Sequence, residues 1–282
     1  MPMTSESVLV SLVVALPAEA GPLKEVFQLK PLRAMNNVFQ SDEGVRLLVT
    51  GVGRKNVIHS FAKLARSDSA RESPLFSPAW LNIGIAGHRE LTVGEVMIAN
   101  KISCAVSAQY SLPTPILSGR NCGEVVTVDE PELAYPQNAA YDMEAHAFWD
   151  MALNFGMLDL IQCCKLISDN PHDGVEKITA ALIAEILYAE SLEIRQHVDL
   201  LRNLAHEQQQ LISDPAPYLK IAGRMHVNVN QALQIRRLCQ RFVTLSRESE
   251  LEKLLAVGYQ SARDLTRVLR ESLKSAGQGT EE

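Results

Sequence analysis

The segment Val8–Leu16 is an apolar run rich in valine, and it is the strongest constraint in the chain. It is too short to cross a membrane, which takes about 18 or more apolar residues, and no later run reaches that length. A continuous run of this kind fits a strand buried on both faces, so layers must cover both sides of its sheet. Pro17-Ala-Glu19 then opens a helix to about Phe27. Phe39 and Val45–Val49 read as neighbouring strands joined through the turn Asp42-Glu43-Gly44. Asn56–Arg66 follows as a helix, and Ala79–Ile85 as a strand ending in Gly84-Ile-Ala-Gly87. Glu95–Ala99, Val125–Val128 and Leu160–Ile167 read as further strands, and Met143–Asn154 as a helix. Strands alternating with helices predict an α/β fold: a central mixed sheet flanked by helices.

From Ile178 onward the pattern is helical. Leu182, Ile186, Ala189 and Leu192 recur at helical spacing, then Val198, Leu201 and Leu204. Asp214-Pro-Ala-Pro217 interrupts the pattern, helices are predicted over about 230–246 and 248–272, and 275–282 reads as a disordered tail. The charge changes at the same place. The last 105 residues carry 13 basic and 13 acidic side chains, so the net −6 resides in the first 177. At 282 residues the length suits about two domains, or one with an appendage. The division is expected at 190: an α/β domain over 1–190 and a helical extension over 191–282. That extension suits a cap over a site or a dimerisation arm. Its basic stretch, Arg236, Arg237 and Arg241 with Arg224, His226 and Arg247 nearby, reads as a solvated helix face whose apolar side is Leu238, Phe242 and Leu245.

Net acidity and 5% aromatic residues argue against nucleic acid as a partner. Five cysteines without a CxxC pair argue against a disulfide framework and suit buried, inert thiols in a reducing compartment. The N-terminus lacks the basic flank of a signal peptide. The reading is a cytoplasmic protein without a membrane anchor, forming a homo-oligomer, a dimer. His88, His146 and His172 are scattered and make no metal motif. Gly51-Val-Gly53 is not a dinucleotide fingerprint, and there is no P-loop or GxSxG. No cofactor is expected.

What remains is acidic. Glu19 follows the first strand, Asp142 and Glu144 begin a helix, and Asp169 follows a late apolar strand. Carboxylates at strand ends gather at the sheet edge where α/β folds bind ligands. Singly, each has a structural explanation: Glu19 as a first-turn acid, Asp142 as an N-cap, Asp169 as a turn starter. Their contexts, in order, are Ala15-Leu-Pro-Ala-Glu19, Thr50-Gly-Val-Gly53-Arg-Lys-Asn56, Asn82-Ile-Gly84-Ile-Ala-Gly87, Val93-Gly-Glu-Val96, Asp142-Met-Glu-Ala145 and Ile167-Ser-Asp169. Together they resemble the nucleoside phosphorylase/nucleosidase superfamily over about residues 8–190. The likeness is to methylthioadenosine/S-adenosylhomocysteine nucleosidases and hopanoid-associated nucleoside phosphorylases.

That resemblance implies scission of the N-glycosidic bond of a purine-type nucleoside, a small-molecule substrate. It makes Asp169 the acid that protonates the leaving base and Glu19 the residue that orients or deprotonates the attacking water. Met143 and Glu144 would hold the ribose. Ser168 and the glycines Gly51, Gly53, Gly84 and Gly87 would lie against the ligand. Three positions depart from the pattern: Ile85 stands where nucleosidases carry a serine, His88 replaces a glycine, and Lys165 replaces an arginine. The segment Tyr110–Tyr141 is compressed, so base specificity does not carry over. Arg54 and Lys165, with Arg89, are candidate charges for a phosphate or water site. Asn82, where phosphorylases of this fold place an arginine, and the retained Glu19 favour hydrolysis over phosphorolysis. The other class of reading is a nucleoside-binding or interaction protein whose chemistry has eroded at Ile85, His88 and Lys165.

Overall fold

A computed structural model describes residues 8–68, 78–212, 214–222, 225, 227–259 and 261–275. Arg224, His226 and the expected tail over 276–282 lie outside the described residues. Two compact units divide the chain, residues 1–206 and 207–282.

In the first unit the strands are β1 (Val10–Val14), β2 (Lys30–Pro31), β3 (Val38–Gln40), β4 (Val45–Val49), β5 (Ala79–His88), β6 (Val96–Cys104), β7 (Tyr110–Ser111), β8 (Asn121–Thr127), β9 (Ala140–Asp142) and β10 (Ile161–Asp169). The helices are α1 (Pro17–Val26), α2 (Arg54–Asp68), α3 (Ala145–Ala152), α4 (Ala180–Ala189) and α5 (Ser191–Ile212), the last six residues of which fall in the second unit. All ten strands join one mixed sheet, as the sequence predicts. β1 pairs in parallel with β4 and β5, and β5 in parallel with β10. Beyond β5 the sheet closes on itself. β10 pairs with β6, β6 with β8, β8 with β9, and β9 returns to the end of β5 at Gly87 and His88. The short strands β2, β7 and β9 carry too few residues to show a period and were not legible in the sequence.

The valine-rich run does what its composition requires. Val10, Leu12 and Val14 enter one core with α1, α4 and α5, while Val13 enters a second core with α2 and α3. Alternate residues of one strand thus face opposite layers. In the second core Phe61 of α2 lies 4.9 Å from Trp80, 5.8 Å from Phe155 and 6.3 Å from Phe148, ring centre to ring centre.

The expected boundary at 190 moves to 206. Ile194, Val198, Leu201 and Ala205 on α5 are buried in the first core, so the α/β unit needs these turns to cover its sheet. In the second unit α6 (Ala216–Ala222) was not foreseen; Ala216 and Pro217 open it rather than break a helix. The other helices are α7 (Val229–Thr244), α8 (Glu248–Ala256) and α9 (Ala262–Ser275). The single helix predicted over 248–272 is two, separated by Gly258 at φ +75°. Leu238 and Phe242 are buried in this unit's core, whereas Leu245 sits at the end of α7 and is exposed. Arg236 pairs with Asp214 and Arg247 with Glu250, so two of the basic residues are neutralised locally. All five cysteines are free, and Cys122, expected to be buried, is exposed on β8. No helix among the described residues is long and apolar enough to cross a membrane.

Truncating the aromatic hub tests this packing. Phe61→Ala should lower the unfolding free energy by about 3–5 kcal/mol. Urea titration should show this as a lower midpoint with an unchanged slope.

Candidate active site

The strand closure leaves a cavity of about 430 Å³ beside the C-terminal ends of β1, β5 and β10. Glu19, Glu144 and Asp169 all line it, together with Ile85, Gly87, Glu132, Tyr141, Asp142, Met143 and Ser168. No Arg or Lys is among the described residues that line it. Three carboxylates drawn from separate parts of the sequence therefore meet in one cleft.

Glu19 enters from the first turn of α1 and is 2% exposed. Its Oε2 accepts from the backbone N–H of Ala15 (2.9 Å) and Leu16 (2.8 Å), and its Oε1 from that of Ile85 (3.0 Å). Burial raises its pKa above the ordinary carboxylate value, against the opposing pull of these donors and the Lys165 ammonium. Asp169 ends β10 rather than following it, and a bulge between Ile167 and Asp169 sets its direction opposite Gly87. Its Oδ1 accepts from the Ser168 hydroxyl and its Oδ2 from the Tyr135 phenol, both at 2.5 Å. Glu144 precedes α3 and accepts from the Gly53 N–H at 2.5 Å. Gly53 holds φ +92°, which aims its N–H at that carboxylate. Burial first, then the nearby Asp142 carboxylate, push Glu144 up to about 7.

Asp142 is the residue that sequence reasoning left as an N-cap. The N-cap of α3 is Glu144 instead; Asp142 accepts from the Ala145 N–H at 2.7 Å and pairs with Lys165 Nζ at 2.7 Å. Its other oxygen accepts from the Thr127 hydroxyl at 2.8 Å. Lys165 and Asp142 are 1% and 0% exposed at their side chains. Burial lowers the lysine pKa, but the surrounding carboxylates outweigh it and hold the ammonium well above its ordinary value. A lysine and an aspartate 23 residues apart carry no sequence signal of pairing. Tyr135 was likewise missed, because a loop tyrosine before a proline gives no hint of a partner 34 residues on.

Several expected site residues sit elsewhere. Lys165 lies beneath the cleft, held by Asp142, and does not line it. Arg54 pairs with Asp129 at 2.6 Å and lines a neighbouring cavity, which shares Val52 and Met143 with the first. Arg89 donates to the Pro136 carbonyl at 3.1 Å and does not line the cleft. Of the four glycines only Gly87 lines the cleft; Gly53 lines the neighbouring cavity, and Gly51 and Gly84 line neither. A Cβ on Gly87 would stand 2.4 Å from Asp169 Oδ2 and 2.8 Å from Tyr135 Cε1, so its missing side chain makes room for protein groups. His88 Nδ1 accepts from the Glu90 and Leu91 N–H groups, and burial lowers its pKa. It closes the turn after β5. Asn82 is buried and donates to the Val13 carbonyl at 3.1 Å. Among the described residues no cluster of three or more His, Cys, Asp or Glu is arranged to hold a metal ion.

The fold itself is a known one. The 5'-methylthioadenosine/S-adenosylhomocysteine nucleosidase of Campylobacter jejuni superposes at TM-score 0.52 with 14% identity, over 68% of this chain and 99% of that one. The Helicobacter pylori nucleosidase of the same name, solved with butyl-thio-DADMe-Immucillin-A, gives 0.54 and 12%, over 69% and 99%. A futalosine hydrolase mutant of Helicobacter pylori gives 0.51 and 12%, over 67% and 98%. The chain therefore has the nucleoside phosphorylase/nucleosidase fold. Nearly the whole of each of these proteins is matched by about two-thirds of this chain, leaving roughly a third without a counterpart in them. No protein-family model and no curated protein sequence matches the chain.

Removing the Lys165 ammonium tests the electrostatics of the cleft. Lys165→Met leaves Asp142 buried without its partner and should cost about 3–5 kcal/mol near neutral pH. Denaturant unfolding of both proteins measures it.

Proposed function

We propose that the chain hydrolyses the N-glycosidic bond of a purine-type nucleoside. The observation that carries this reading is the convergence of Glu19, Glu144 and Asp169 on one cleft whose described lining holds no Arg or Lys. Cleavage develops positive charge on the ribose and negative charge on the departing base. An ionised Glu144, with Met143 beside it in the cleft, suits the sugar end and attracts the positive ring. Asp169 supplies the proton that the base needs in order to leave. Glu19, buried and turned toward Ile85, takes the attacking water and its proton.

Water suits the site better than phosphate. A phosphate dianion calls for cationic donors, and the three candidates are engaged elsewhere, Lys165 by Asp142, Arg54 by Asp129 and Arg89 by the Pro136 carbonyl. A nucleoside-binding protein without turnover is the second reading, favoured by Ile85, which lines the cleft at the position where the family's nucleosidases carry a serine.

Base release from a panel of purine nucleosides, with and without phosphate, decides between these readings. Hydrolysis predicts release that is independent of phosphate; tight binding without release supports the second reading. Asp169→Asn should reduce turnover of purine nucleosides by about 10²- to 10⁴-fold while largely sparing 4-nitrophenyl riboside, whose leaving group needs no proton. Glu19→Gln should slow both substrates.

The pH profile gives a further check. Glu144 must be ionised to accept from ribose hydroxyls, and its pKa stands at about 7. The value of kcat/KM should rise with pH through that region, and Glu144→Gln should remove this limb along with most of the activity.

A further inference from the structure

We propose that Tyr135 is a positioning residue for the proton transfer, acting through Asp169 by donating its phenol hydrogen bond to Asp169 Oδ2. The inference rests on the nucleosidase reading and goes beyond it, because no motif in the sequence marks this tyrosine. Tyr135 lies in the loop between β8 and β9, is 3% exposed, and stands edge-on to Tyr141 with ring centres 6.0 Å apart. Three features of the chain converge on its hydrogen bond to Asp169. The phenol oxygen is 2.5 Å from Asp169 Oδ2. The backbone of Tyr135 adopts φ +44°, a left-handed conformation that a bulky side chain rarely takes and that needs support from its surroundings. On β5, Gly87 leaves the space that both Asp169 and the Tyr135 ring occupy.

The chemistry follows from where charge appears. As the C–N bond breaks, its electron pair goes to the base, and the proton on Asp169 passes to that base. A water hydroxyl adds to the anomeric carbon, and the water's remaining proton goes to Glu19. The carboxyl of Asp169 thus becomes a carboxylate during the reaction. A hydroxyl donor to that group grows stronger as its charge develops, so the bond favours the transition state over the ground state. Ser168 holds Oδ1 and Tyr135 holds Oδ2, which fixes the plane of the carboxyl and aims its proton. Tyr135 keeps its own proton throughout; burial and the adjacent Asp169 hold its phenol above the ordinary tyrosine value.

Tyr135→Phe removes one oxygen and keeps the ring. With the purine nucleoside that wild-type protein turns over best, kcat should fall by about 10²-fold, while 4-nitrophenyl riboside turnover stays within about twofold. Adding Tyr135→Phe to Asp169→Asn should cost no further activity, because the group it serves has gone. A residue needed only for structure would instead slow both substrates alike. Equal losses, or no loss, for the two leaving groups overturn the proposal and leave the nucleosidase reading standing. Wild-type protein that releases no purine base from the panel overturns the nucleosidase reading and this proposal with it.

Discussion

The buried ion pair between Lys165 and Asp142 is the contact on which the rest of the site depends. Lys165 lies in the middle of β10, and Asp142 ends β9 and accepts from the first N–H of α3. Their 2.7 Å contact ties two strands that are not neighbours across the closed part of the sheet. Such a pair contributes little net stability by itself, since taking two charges out of water offsets much of their attraction. Its effect is on position and charge. Glu19 and Glu144 both lie within the influence of the Lys165 ammonium, which opposes the upward push of burial on each, while Asp142 holds that ammonium directly.

Glycine solves the packing problem that so many buried polar groups create. Lys165 lies across from Gly84, and Asp169 across from Gly87, in the register of β5 and β10. A Cβ at Gly84 would approach Glu19 Oε1 to 3.0 Å, and one at Gly87 would collide with Asp169. The spacings differ by one residue between the strands, and the bulge around Ser168 absorbs it. At these two positions the missing side chain leaves room for the protein's own carboxylates.

Much of this was legible in the chain. A both-sides-buried strand is written in the apolar run at Val8–Leu16, because only residues that face two cores can all be apolar. The α/β order follows from the alternation of such runs with helical periods. Glu19, Glu144 and Asp169 were legible through their motifs, and all three line one cleft. The boundary at 190 was not, because the apolar stripe on α5 reads the same whether it covers a sheet or packs on another helix. The break at Gly258 hid in a long helical pattern for a similar reason: a single glycine is tolerated within helices as well as after them.

By itself, then, the sequence determined much of the burial pattern, the fold class and three of the carboxylates that line the cleft, since these are carried by local periodicity and by motifs a few residues long. Tertiary structure alone decided what each polar group touches. Lys165 finds Asp142, Arg54 finds Asp129, and Tyr135 finds Asp169 only because closure of the strands brings distant segments together. Hydrogen bonds and ion pairs act over about 3 Å, so a residue type that suits phosphate, water or carboxylate equally well has its role fixed by whichever partner the fold places within that distance.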